Sequence, residues 1–234
     1  MEIENICHAI RKWNTLAELY QIGNKASEQE ILNALNQGTH FSVTGKEIQD
    51  WKANLEHEED KAIHAYAGMD EGRLKFFLID SKSDAAADFS HILVKEFTRD
   101  SVDPWQPYFS EALVAPSIDW ESAINRNFRW NMFGSTWLEL NREKPFFRLI
   151  SIPFSDYEKL GLEDDRSCIS FLGLTTLLKD QSSLSDYHIE FITVKHLEVN
   201  EMSREAEDFS TPRPPFSASD PQNFQLLIKS DGIL

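Results

Sequence analysis

Apolar residues recur at three- and four-residue steps over residues 3–20, with Ile3, Ile6, Ile10, Trp13, Ala17 and Tyr20 on one stripe. Arg11, Lys12 and Glu18 fall off that stripe, so the spacing predicts an amphipathic helix, and Gly23 is placed to end it. Ser27-Glu28-Gln29-Glu30 has the form of a capping box ahead of Ile31, Leu32 and Leu35, and that second helix should stop near Gly38. Thr44-Gly45-Lys46-Glu47 repeats the form ahead of Ile48, Trp51 and Leu55. The first 57 residues therefore read as three short helices.

The period then changes. Ala62–Met69 and Arg73–Asp80 are apolar runs on either side of Asp70-Glu71-Gly72, a connection that suits a hairpin, and Ile63, Ala65 and Ala67 alternate with His64 and Tyr66. Ser81–Asp88 reads as a polar turn, and His91–Thr98 as a third strand, with a helix over Ala85–Phe97 as the alternative. Pro104, Pro107 and Pro116 exclude continuous helix from residues 100–117. A second helical block follows, with Ser117 or Asp119 as caps for Trp120–Trp130, and with Phe133–Leu140 as a separate short helix. Phe146–Pro153, Cys168–Leu174 and Tyr187–Glu198 read as strands, with a polar, Ser-rich linker over Thr175–Asp186. Glu201–Asp208 is charged, Thr211–Pro221 should be extended or disordered, and Phe224–Lys229 is expected to return as an edge strand.

This order of helices, hairpin, helices and strands predicts an α+β fold of short helices packed on an antiparallel or mixed sheet. It admits two similar subdomains, over residues 1–99 and 118–234, joined by the Pro/aromatic connection at 100–117; a single domain fits the same length of 234 residues. Ala34-Leu35-Asn36 and Gly45 are echoed by Ala123-Ile124-Asn125 and Gly134 at an offset of 89.

Composition narrows the function classes. Lys plus Arg is 23 and Asp plus Glu is 39, giving a net charge of −16. That balance argues against a partner bound through its phosphate backbone, so no nucleic acid is expected. No run approaches the roughly 20 apolar residues of a membrane span, and no membrane partner is expected. Met1-Glu2-Ile3-Glu4 has no basic start or apolar continuation of a secretory signal, so the expected location is cytoplasmic. Cys7 and Cys168 fall in apolar patterns and read as buried, reduced thiols.

The chain has no phosphate-binding loop, dinucleotide fingerprint, nucleophile elbow, His-Glu-x-x-His or paired Cys-x-x-Cys, so no cofactor and no metal is expected. His57-Glu58-Glu59-Asp60 reads as a solvated helix end. His188 and Glu190 stand two apart on a strand and share a face, so both could serve one ion or substrate, with His64 or His91 as a third group if the sheet brought one alongside. Ile192 and Val194 lie on that same face, with His196 farther along it. Asp100 with Asp103, and Asp164 with Asp165, carry little information among 39 carboxylates. Trp105, Trp120, Trp130 and Trp137 cluster within 33 residues, and the loop Asp103–Phe109 holds Trp105, Tyr108 and Phe109 among prolines, where aromatics lose little freedom on docking.

Three readings follow. The leading one is a non-enzymatic protein-binding module whose acidic surface suits a basic protein partner. The second is a metal-assisted hydrolase with His188 as ligand or base and Glu190 as ligand or acid. The third is a structural homo-oligomer built on the tryptophan region.

Overall fold

In the computed structural model the described residues are 1–98, 120–176, 183–195, 206–207, 211–213 and 223–232. The elements run α1 (Ile3–Gln21), α2 (Lys25–Leu35), β1 (His40–Thr44), α3 (Gly45–Asn54), β2 (Ala62–Asp70), β3 (Arg73–Asp80), α4 (Ser81–Ala85), β4 (Leu93–Glu96), α5 (Trp120–Leu140), β5 (Leu149–Pro153), α6 (Phe154–Lys159), β6 (Ser167–Thr175), β7 (His188–Lys195), β8 (Ala206–Glu207), β9 (Thr211–Arg213) and α7 (Gln225–Ser230). The fold is α+β, with two sheets ordered β1-β6-β7-β8 and β4-β3-β2-β5-β9, and every pairing is antiparallel.

Strand alternation explains the layers. On β2 and β3, Ile63, Ala65, Ala67, Leu74, Phe76 and Leu78 belong to the central core. Tyr66, Phe77 and Ile79 point the other way, into a cluster with Ile6, Ala9 and Ile10 of α1 and Leu226 and Leu227 of α7. On β6 and β7, Leu172, Leu174, Ile189 and Phe191 face the centre, and Ile169, Phe171, Ile192 and Val194 face Ala123 of α5. Both sheets are thus covered outside by a helix, which is why their strands are apolar on both faces. Between them, Phe41, Phe76 and Phe191 meet with ring centroids 5.0–5.7 Å apart, and the sheet edges touch where Thr98 N–H donates to His40 O at 2.7 Å.

The same order of helix, short strand, short helix and hairpin occurs twice: α1/α2-β1-α3-β2-β3 and α5-β5-α6-β6-β7. The short strands are exchanged. β1 pairs with β6 of the other unit, His40 opposite Phe171 and Thr44 opposite Ser167, and β5 pairs with β2, Leu149 opposite Tyr66 and Pro153 opposite Ala62. The registers match β2 to β6 at an offset of 105 (Ala62 with Ser167, Tyr66 with Phe171) and β1 to β5 at 109 (His40 with Leu149). Gly68 and Gly173 are also 105 apart, and each lies beneath the covering helix. A Cβ on Gly68 would come within 3.0 Å of the Ala9 backbone, and one on Gly173 within 3.3 Å of Arg126 Cβ. The echo at 89 in the sequence does not align these units, since it sets Gly45, the first residue of α3, against Gly134 inside α5.

Several sequence expectations hold. The helix at 3–20, the Thr44–Glu47 capping box and the 62–80 hairpin are all present, the box with Glu47 N–H donating to Thr44 Oγ1 at 3.2 Å and Thr44 N–H to Glu47 Oε2 at 2.8 Å. Others are corrected. The second helix is capped by Asn24, whose side chain accepts from Ala26 and Ser27 N–H, and Ser27 is a buried helix residue. Residues 120–140 form one helix, because Gly134 lies against the Trp130 ring and packing outweighs its helix cost. Phe224–Lys229 is not an edge strand but falls largely in α7, where Leu226 and Leu227 are buried in the outer cluster. The polar stretch after β3 contains α4, capped by Asp80, whose carboxylate accepts from Ser83 N–H at 2.9 Å. The short elements β1 and α6 have no clear periodicity in the sequence.

Candidate functional site

Two buried polar clusters lie on the outer faces of the sheets, one beneath each covering layer. The first contains the sequence candidates. β7 places His188, Glu190, Ile192 and Val194 on the α5 side, with Glu190 opposite Gly173. The missing side chain on Gly173 leaves room for Arg126 of α5, whose Nη1 donates to Glu190 Oε1 at 3.1 Å and to Oε2 at 3.4 Å. Neighbouring α5 residues clamp the β6 backbone, Asn127 Nδ2 on Leu172 O and Arg129 Nη1 on Leu174 O, both at 2.8 Å. The Arg129 guanidinium also lies 4.6 Å over the Tyr187 ring. Glu190 is 2% exposed. Burial raises its carboxyl to about 7, against the opposing pull of Arg126. His188 is lowered by burial first and by Arg126 second.

This arrangement makes Glu190 a source of pH-dependent stability. Its ordinary value is 4.5 and its folded value about 7, so the folded state holds a proton that the unfolded chain releases in that interval. Its contribution is fully present below pH 4.5 and is lost as the pH rises to about 7, a change of about 3 kcal/mol. Chemical denaturation from pH 4 to 8, each wild-type value set against Glu190→Gln, is expected to show a difference that falls across that window. A difference independent of pH would refute the assignment.

The second cluster went unrecognised in the sequence. His64 and Tyr66 stand two apart on β2 and point outward to Asp84 of α4. Asp84 Oδ2 accepts from Tyr66 Oη at 2.5 Å and lies 2.7 Å from His64 Nδ1, and Oδ1 accepts the Leu226 N–H of α7 at 2.9 Å. The Asp84 side chain is fully buried, His64 is buried, and the His64 ring lies 4.6 Å from that of Phe224. Burial first, and the Asp84 charge second, raise the Tyr66 phenol well above its usual range. One carboxylate thus gathers β2, α4 and α7. The i, i+2 spacing of His64 and Tyr66 was the available signal, but Asp84 stood in a segment that reads as a turn.

His64 is therefore engaged with Asp84, on the sheet that does not contain His188. His91, His57, Asp60, Asp164 and Asp165 are exposed. Among the described residues no group of three or more His, Cys, Asp or Glu side chains stands together as metal ligands. Cys7 and Cys168 are free and buried; burial raises both thiols, Cys168 to about 12. Trp130 and Trp137 are buried, their rings 6.4 Å apart, and Trp137 Nε1 donates to Tyr187 O at 2.7 Å. Trp105, Tyr108 and Phe109, and the pair Asp100 and Asp103, lie outside the described residues.

Among the described residues, four of the exposed large apolar side chains are on α5. Phe128 and Met132 are 56% and 58% exposed, one turn apart, and Phe133 and Leu140 are exposed farther round the same helix. The other exposed positions from 125 to 136 are Asn125, Asn131, Ser135 and Thr136, while Arg126 and Arg129 are half-buried and bonded to Glu190 and to the Leu174 carbonyl. Among the described residues no helix is long and apolar enough to cross a membrane. Neither a family model, nor a curated protein, nor a solved structure matches the chain.

Proposed function

We propose that the chain is a non-enzymatic protein-binding module and that the exposed side of α5 is its contact surface. The observation that carries this reading is the set of large apolar side chains Phe128, Met132 and Phe133, exposed on one helix of a chain of net charge −16. Large apolar side chains exposed together cost hydration free energy in the free protein and recover it on docking. The acidic remainder of the molecule favours a basic protein partner, because opposite potentials speed encounter. The expected site is the cytoplasm, where both thiols stay reduced.

Phe128→Glu/Met132→Glu is expected to keep the wild-type circular dichroism and melting temperature, because both side chains already face water. It should lose a partner retained by wild type from native lysate at low salt. Equal retention by both proteins, or no partner for either, would remove this reading.

A second reading keeps the sequence candidates His188 and Glu190 as an acid–base pair. A carboxyl titrating near neutrality is the property such chemistry needs. Its test is hydrolytic turnover with and without added divalent metal, compared between wild type and Glu190→Gln. Equal turnover in the two proteins would eliminate it.

A further inference from the structure

The seat of α7 grips a short helix by its ends. At the N-terminal end, Asp84 Oδ1 accepts the Leu226 backbone N–H at 2.9 Å. At the C-terminal end, Arg11 Nε of α1 donates to the Ser230 carbonyl at 2.8 Å, and Asn14 Nδ2 and Arg148 Nη1 each reach the Asp231 carboxylate at 3.3 Å. Between these ends Phe224, Leu226 and Leu227 fill an apolar trough that includes Ile6, Ile10 and Tyr66. Four of these contacts need only a helix of this length with an acidic residue after it, and the trough needs an aromatic–x–Leu–Leu pattern.

The polar half of the seat is not a requirement of the hairpin. At the register-matched positions of the second unit, Ile169 stands for His64 and Phe171 for Tyr66, and both are packed apolar residues. The trio His64, Tyr66 and Asp84 is therefore specific to the face that receives α7. Ten residues, 214–223, connect Arg213 at the end of β9 to Phe224. Such a tether spans at most about 33–36 Å, and it carries Pro214, Pro215 and Pro221.

We propose that the trough between α1, β2 and α4 is an exchangeable helix-binding site, and that its second occupant is the α7 segment of another copy of this chain. Each contact made within one chain is then made reciprocally between two, the geometry of a domain-swapped dimer. Because the resident helix is joined to its own seat in one chain and that of a second copy is not, the closed monomer dominates in dilute solution. A copy whose own α7 cannot bind offers an empty seat. This inference is independent of the α5 contact surface.

The test is complementation between two full-length variants. Arg11→Glu damages the seat and leaves α7 intact; Leu226→Asp damages α7 and leaves the seat intact. Co-refolded in equal amounts, they are expected to form a 1:1 heterodimer by sedimentation, with association at least about tenfold tighter than either variant with itself. Arg148→Glu in place of Arg11→Glu supplies a second damaged seat, by setting a carboxylate against Asp231, so that misfolding of one donor does not decide the result. Hydrogen exchange on each variant alone should show loss of protection at residues 226–230, regained in the mixture only by the Arg11→Glu copy, whose α7 enters the intact seat. Only monomers in the mixture, with both variants folded, would overturn the proposal. So would a heterodimer that persists when the donor also carries Leu226→Asp.

Discussion

Asp84→Ala is expected to lower stability by about 4 kcal/mol, a large fraction of what a typical domain has to lose. The substitution leaves three buried donors without an acceptor: the Tyr66 hydroxyl, the His64 Nδ1–H and the Leu226 amide. Each orphaned group costs about 1–3 kcal/mol, and because they share one carboxylate the losses are not additive. In a chain of this length that corresponds to a fall in melting temperature of about 8–16 °C. Asp84→Asn keeps an acceptor oxygen and should cost about half as much. Thermal unfolding of the two variants checks the order; equal losses would mean that the side chain's volume matters and its hydrogen bonds do not.

Gly45→Ala is expected to cost about 3 kcal/mol for a single methyl group. Gly45 opens α3, and its N–H donates to Arg166 O at 2.7 Å, which draws the loop before β6 against the helix start. A Cβ at this position would lie 1.9 Å from the Glu163 carbonyl oxygen and 2.6 Å from its carbon. Both obstacles are backbone, so relief requires the loop to move and the Arg166 bond to lengthen. Gly72 is the natural control: its φ is +77° and nothing lies within 4 Å of an added Cβ, so Gly72→Ala pays conformational strain alone, about 1–2 kcal/mol. Urea denaturation with unchanged m-values should rank Gly45→Ala well below Gly72→Ala. The reverse order would show that the loop yields.

The elements legible in the sequence are those whose local chemistry and burial agree. The α1 stripe, the Thr44–Glu47 box and the 62–80 hairpin each combine a periodic apolar face with a capping or turn residue. Short elements defined by their partners were not legible. β1 is a strand because β6 pairs with it, α6 is six residues long after Pro153, and α7 is a helix of six residues held by Asp84 and Arg11. The candidate sites divide in the same way. The shared face of His188 and Glu190 follows from strand period alone, but the guanidinium opposite Glu190 comes from 64 residues away. Asp84 meets His64 across 20 residues and a strand pair, which no spacing rule encodes. The internal repeat is likewise a property of strand register, and its offset differs from the one that matching residue types suggests.

The exchanged short strands also set the order in which the chain can fold during synthesis. β1 is complete at residue 44, yet its partner β6 does not begin until residue 167. The β2-β3 hairpin closes early, but its other edge waits for Leu149–Pro153. Pairings this distant are slow to form, because the loop must close before any contact rewards it. The nascent first unit therefore emerges with two unpaired strand edges and an uncovered aromatic core around Phe41 and Phe76. Until the ribosome has released β6, it exposes the apolar surface and open edges that favour aggregation, and is not a folded half.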